Sequence, residues 1–200
     1  MKSWFLACSV LLIATPLWAD APVAKIQSML ARPRVLCGYF DQNKRLTGLK
    51  KPMVSNGRFC VVADKGVLWR TLQPFPNTVR LTRDEIVQLQ GDRVAMRLDA
   101  KQEPAVRMIN SVLFALLAGD LGQIEKWFLV DGGIHDNGWS VTLKAREPAL
   151  AKAISSVVLE GDAYVKNITI SETSGDRTSI VFSKIHTGDT AMNVDEAALF

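Results

Sequence analysis

Between residues 34 and 100, apolar and polar positions alternate in short runs separated by turn residues. Phe59, Val61 and Ala63 alternate with Arg58, Cys60 and Val62, a period of two that suits a half-buried strand. Asp64-Lys65-Gly66 is a turn signal, because Gly takes positive φ without steric cost. Val67 to Leu72 returns as the partner strand with Trp69 in its middle. Pro74 and Pro76 stop it, since Pro lacks the N–H that a ladder needs. Upstream, Arg34 to Gln42 reads as a strand and Asn43 to Pro52 as a polar, basic loop or weak edge. Downstream, Thr78 to Leu81 is a short strand. Glu85 to Leu89 and Arg93 to Leu98 form a second hairpin turned at Gln90-Gly91-Asp92. Strand after strand joined by short turns predicts an antiparallel sheet or barrel.

Helical spacing flanks this stretch. Asp20 can cap a first helix with Pro22 in its opening turn. Val23, Ile26 and Leu30 fall on one face, and Pro33 ends the helix near Arg32. After the strands, Glu103-Pro104 opens a helix in which eleven of the fourteen residues from Ala105 to Ala118 are apolar. Too short for a bilayer, it must be covered on two sides, by the sheet and by either more core or an apolar ligand. Gln123 to Val130 carries a further apolar cluster with Trp127 and Phe128. Asp131 to Gly138 (DGGIHDNG) reads as a loop, and Trp139 to Arg146 as a strand. Pro148 to Ile154 is spaced for one or two helical turns. Val157 to Glu160, Ala163 to Ser171 and Thr178 to Lys184 form a closing meander, and Asn193 with Glu196 has capping-box spacing.

The first residues change the domain picture. Met1-Lys2 is a basic start, Trp4 to Ala14 an apolar run, and Thr15 to Ala19 a cleavage region, so residues 1–19 read as a secretory signal peptide. Leu6-Ala7-Cys8 resembles part of a lipobox, but only four residues would precede it as an export segment. About 180 residues remain, enough for one domain with a sizeable core, 20–200. The content, 48% hydrophobic and 22% charged, is that of a globular protein. A net charge of +4 without long basic runs argues against nucleic-acid binding. Two cysteines, Cys37 and Cys60, persist beyond the leader. An oxidising compartment permits a disulfide between them. The alternative is two buried thiols, and strand register decides.

Catalytic chemistry is not apparent. There is no Gly-x-Ser-x-Gly elbow, no metal-ligand spacing of Cys or His, and no Gly-rich phosphate loop. His135 and His186 read as surface residues, and Asn167-Ile168-Thr169 as a chance glycosylation pattern. No catalytic residue, cofactor or metal is expected.

One resemblance is specific. A helix is followed by Gly38-Tyr39-Phe40-Asp41-Gln42, by Leu49 to Ser55, by Gly57-Arg58-Phe59, by Gly66-Val67-Leu68-Trp69 and by Pro74-Phe75. This order resembles the N-terminal pattern of the periplasmic lipoprotein-carrier (LolA-like) family over residues 23–81. The resemblance implies an α+β fold, a curved antiparallel sheet forming an incomplete β-barrel over helices, with an apolar cavity for acyl chains. It implies a monomer in the periplasm that receives lipidated cargo from an inner-membrane exporter and passes it to an outer-membrane acceptor. The family's carriers place a basic residue, often beside Pro, at the turn before the Trp strand. Here that turn is Ala63-Asp64-Lys65-Gly66, which suggests a divergent branch whose cargo is a lipoprotein, a glycolipid or another acyl lipid. On this reading Phe40, Phe59, Val61, Leu68, Trp69, Met108, Val112 and Leu116 line or border the cavity. Two alternatives stand beside it: a non-catalytic structural or adaptor domain of an envelope complex, and an acyl-processing enzyme using scattered carboxylates.

Overall fold

The structure, a computed structural model, describes residues 20–91, 93–102, 114–115, 120–135 and 138–200. Helix α1 (Asp20–Met29) precedes β1 (Val35–Arg45), β2 (Met53–Val62), β3 (Gly66–Gln73), β4 (Asn77–Leu81), β5 (Glu85–Gln90) and β6 (Arg93–Asp99). A one-turn helix (Leu121–Ile124) then leads into β7 (Phe128–His135), β8 (Gly138–Ala145), β9 (Ile154–Gly161), β10 (Val165–Glu172) and β11 (Arg177–Thr187). The strands form one antiparallel sheet of order β6-β5-β4-β3-β2-β1-β11-β10-β9-β8-β7. Two meanders are thus joined by a single non-sequential pairing, β1 with β11. Strands β6 and β7 end the order at opposite edges and do not pair, so the barrel is incomplete.

Alternation sorts the side chains onto two faces. On the inner face, Phe40, Phe59 and Phe182 form a buried cluster with Val61, Trp69 and Ile180 packed against it. Val165 and Ile168 connect that cluster to the largest one, where Val23 and Ile26 of α1 and Leu30 just after it meet Trp139, Val141, Leu143 and Leu159. A ten-residue helix is marginal alone. Burial of Val23, Ile26 and the following Leu30, roughly 1.5–3 kcal/mol each, holds it in place.

The outer face carries Val35, Cys37, Cys60, Val62 and Leu68, covered by Ala191, Met192, Leu199 and Phe200 of the C-terminal segment. Cys37 and Cys60 are register partners and are joined there as a disulfide, with Cα atoms 4.1 Å apart. At a sequence separation of 23, the chain-entropy model gives this cross-link about 3 kcal/mol. Arg58 shares this covered face, so its charge requires a partner. Glu196 supplies it: its fully buried carboxylate accepts from Arg58 Nε at 2.6 Å and lies 3.9 Å from Arg70 Nη1. The same carboxylate accepts the Asn193 N–H at 3.0 Å, while Asn193 Oδ1 accepts the Glu196 N–H at 2.8 Å. The capping box read from the sequence therefore also anchors the C-terminus to the sheet.

Several strands outrun the sequence pattern, because paired neighbours supply ladder partners that local propensity does not register. Strand β1 continues to Arg45, inside the segment 43–52 read as a loop or weak edge, and β2 begins directly after it at Met53. Segment 131–138 departs further. Its glycines suggest a loop, yet residues through His135 belong to β7 and pair with β8, Gly132 opposite Val141. A Cβ on Gly132 would run into the Ser140 carbonyl oxygen. That glycine serves a close approach rather than a turn. The leader and most of the helix expected at 103–118 lie outside the described residues. Within that helix, Phe114 and Ala115 are helical.

Candidate functional site

The inner aromatic cluster follows from a repeated triplet. Gly38-Tyr39-Phe40 and Gly57-Arg58-Phe59 occupy neighbouring strands, and the register sets Gly38 opposite Phe59 and Phe40 opposite Gly57. Each ring lies over the glycine across from it. A Cβ on Gly38 would stand 2.9 Å from Phe59 Cε1, and one on Gly57 2.8 Å from two ring carbons of Phe40. Such crossed glycine–aromatic pairs cover backbone that glycine would otherwise leave bare. Phe40 then stacks on Trp69 with centroids 3.8 Å apart, and Phe59 meets Phe182 at 4.7 Å.

Beside this cluster lies a cavity of about 680 Å³, within the usual range for small-ligand sites. Its walls are Arg32 and Pro33 after α1, Val61 to Asp64 at the end of β2, Arg83, Phe114, Ala115 and side chains of the segment 120–127. Val61 belongs to both features, since it packs on the aromatic cluster and lines the cavity. Pro33, Phe114, Ala115 and Trp127 continue the apolar surface. Several polar groups in the wall hold one another. Arg83 Nη2 is 3.6 Å from Asp64 Oδ1, and its guanidinium lies over the Phe114 ring at 6.0 Å. Asp120 accepts the Gln123 N–H at 3.2 Å, and Lys126 Nζ donates to Gln123 Oε1 at 2.6 Å.

The residues expected at the cavity divide. Phe40 and Phe59 are buried in the cluster, Trp69 is half-buried against it, and Val61 reaches the cavity wall. Leu68 does not join them. It is buried on the outer face against the disulfide and the C-terminal segment, because adjacent residues of a strand point to opposite faces and Trp69 takes the inner one. Met108, Val112 and Leu116 lie outside the described residues. Pro33, Arg83 and Trp127 were not anticipated. They sit on links between elements, where no periodicity marks orientation. Arg58 and Glu196 were also missed as a pair, although alternation places Arg58 on the same face as Cys60 and Leu68.

Little reactive chemistry gathers at the site. His135 and His186 are exposed, and neither lines the cavity. Among the described residues, the one cluster with potential metal ligands is Cys37, Cys60 and Glu196. The disulfide and the Arg58 hydrogen bond occupy those groups.

A model of the outer membrane lipoprotein carrier protein LolA-like family matches residues 16–199. The chain belongs to this family. The LolA-like chain is therefore a domain of the lipoprotein-carrier type, built on an open eleven-stranded sheet. Similar solved structures include a LolA superfamily protein from Nitrosomonas europaea, at 9% identity and a TM-score of 0.48, covering 87% of this chain and 95% of that one. A putative outer membrane lipoprotein-sorting protein domain from Vibrio parahaemolyticus has 10% identity and a TM-score of 0.46, covering 88% and 95%. MucB has 13% identity and a TM-score of 0.48, covering 87% of this chain but 62% of its own. The chain thus spans less than two thirds of MucB. No curated protein gives a significant match.

Proposed function

We propose that the chain is a periplasmic carrier that holds acyl chains of lipoproteins or other lipids in the cavity beside Val61. On this reading it moves them from an inner-membrane exporter to an outer-membrane acceptor. The supporting observation is the continuity of apolar surface at Val61, which joins the cavity to the aromatic cluster. An acyl chain asks little of a site beyond such surface, at about 0.8 kcal/mol for each methylene removed from water. Phe40, Phe59 and Trp69 extend the surface. No ladder joins β6 to β7, so the sheet can widen for entry and release without breaking strand pairs. Residues 1–19 act as the export leader, and 20–200 form the mature domain.

Native mass spectrometry of periplasmically expressed protein, with lipid extraction and titration of a fluorescent fatty-acyl probe, tests this reading. Val61→Asp should weaken probe binding at least tenfold while melting stays within a few degrees. Val181→Asp, at a position 49% exposed on the outer face, should leave binding unchanged. Protein recovered free of lipid that also fails to bind the probe overturns the proposal.

A further inference from the structure

Strand β1 starts just after the cavity residues Arg32 and Pro33 and runs eleven residues to Arg45, roughly 35 Å at about 3.3 Å per residue. At that far end lies a second cavity, of about 300 Å³, lined by Asn43, Arg45, Arg177 and Ser179. In the β1–β11 ladder Arg45 is opposite Arg177, and Asn43 is opposite Ser179. Phe40 and Phe182 point inward. Arg45 and Arg177 each lie an odd number of positions from them and so face outward.

Like charges directly opposite one another disfavour a sheet, and an adjacent carboxylate would be the ordinary relief. Among the described residues, neither guanidinium has an ion pair or hydrogen bond. Asp41, exposed on the same face two positions from Asn43, does not line this cavity, and two further acids are engaged elsewhere. Glu172 pairs with Lys44 at 3.3 Å on the inner face. Asp176 accepts the Thr47 N–H at 2.7 Å, and that bond holds its carboxyl below the usual range. The adjoining loop adds exposed Lys50 and Lys51 and no acid. Two guanidinium forks, an amide and a hydroxyl thus converge on one cavity without an anion among them. Planar N–H forks of this kind match the oxygens of phosphate.

We propose that Arg45 and Arg177, with Asn43 and Ser179, form a site for a phosphate group, carried by a membrane lipid headgroup or free in solution. The test compares the full chain with the Arg45→Gln/Arg177→Gln double variant in two arms. One arm sediments the protein with phosphatidylcholine vesicles containing or lacking phosphatidylglycerol. The other titrates inorganic phosphate and follows the arginine Nε–H resonances. Binding in the vesicle arm alone assigns the headgroup, and binding in the phosphate arm assigns the free anion. In either case the double variant should bind at least tenfold more weakly. It should melt at or above the wild-type temperature, because a repulsive pair is gone. Lys50→Gln/Lys51→Gln removes the same charge from the adjacent loop and should weaken binding by much less. Absence of binding in both arms overturns the site. So does undiminished binding by the arginine variant, or an equal loss in the lysine variant.

Discussion

Alanine at Gly57 and alanine at Gly133 should move stability in opposite directions, although both glycines lie in strands. At Gly57 the new Cβ would strike the Arg70 carbonyl oxygen and stand 2.8 Å from two ring carbons of Phe40. The carbonyl belongs to the paired main chain of β3 and cannot rotate away. Overpacking typically costs about 1–3 kcal/mol, and a backbone obstacle places this case at the upper end. Phe40 would also have to leave Trp69, now stacked at 3.8 Å, and such a pair is worth about 0.5–1.5 kcal/mol. The sum is about 4 kcal/mol. For a domain of this size each kcal/mol lowers Tm by about 2–4 °C, so the melting point should fall by about 10 °C. Near-UV circular dichroism should weaken as the aromatic packing loosens. At Gly133 a Cβ meets nothing within 4 Å. Alanine there mainly removes freedom from the unfolded chain and should raise stability by about 0.5–1 kcal/mol. Thermal melts and urea titrations of both variants measure the two signs. A Gly57→Ala protein that melts within 3 °C of wild type, or two shifts of the same sign, refutes the close-approach argument.

Two further outcomes concern charge. Glu196→Ala leaves Arg58 half-buried without its carboxylate and should cost about 3 kcal/mol. Adding Arg58→Met should recover part of that loss, and strictly additive urea midpoints for the two changes would contradict the direct pairing. For Asp162, burial raises the carboxyl pKa, but hydrogen bonds from Lys166 Nζ and the Tyr164 N–H outweigh it and leave the group below its ordinary value. A depressed folded-state pKa contributes stability above the unfolded value and loses it as pH falls. Asp162→Asn should therefore melt slightly below wild type at pH 7, by less than about 1 kcal/mol for so exposed a pair. The gap should narrow as pH falls below about 4, and a gap that does not change on acidification would exclude the carboxylate as its source.

The strands were legible wherever alternation and turn residues agreed, as in the hairpin around Asp64-Lys65-Gly66. Asp64 takes φ 66° and Gly66 φ 151° there. Glycine misled at Gly132, because sequence does not distinguish a glycine needed for a turn from one needed beneath a crossing carbonyl. The inner cluster was half visible. Phe40, Phe59 and Trp69 follow from period two, and the same period should have removed Leu68. Apart from Val61, the cavity wall was not visible, since Pro33, Arg83 and Trp127 acquire their positions only when distant links meet. The two arginines of the far cavity were hidden for the same reason. Arg45 sat in a segment read as a loop, and its partner lies on the last strand.

The seam between β1 and β11 governs the order in which this protein can be completed. Thr47 and Asp176, hydrogen-bonded at 2.7 Å, are 129 positions apart, whereas each meander is built from neighbouring hairpins. A chain delivered from its N-terminus can form β1 through β6 early, but one side of β1 stays unpaired until residues 177–187 arrive. That open edge is a template for another chain, and pairings of such long range form slowly. Loss of the last strand would consequently not shorten the sheet by one. It would cut the sheet through its middle into two separate meanders, each with a new exposed edge.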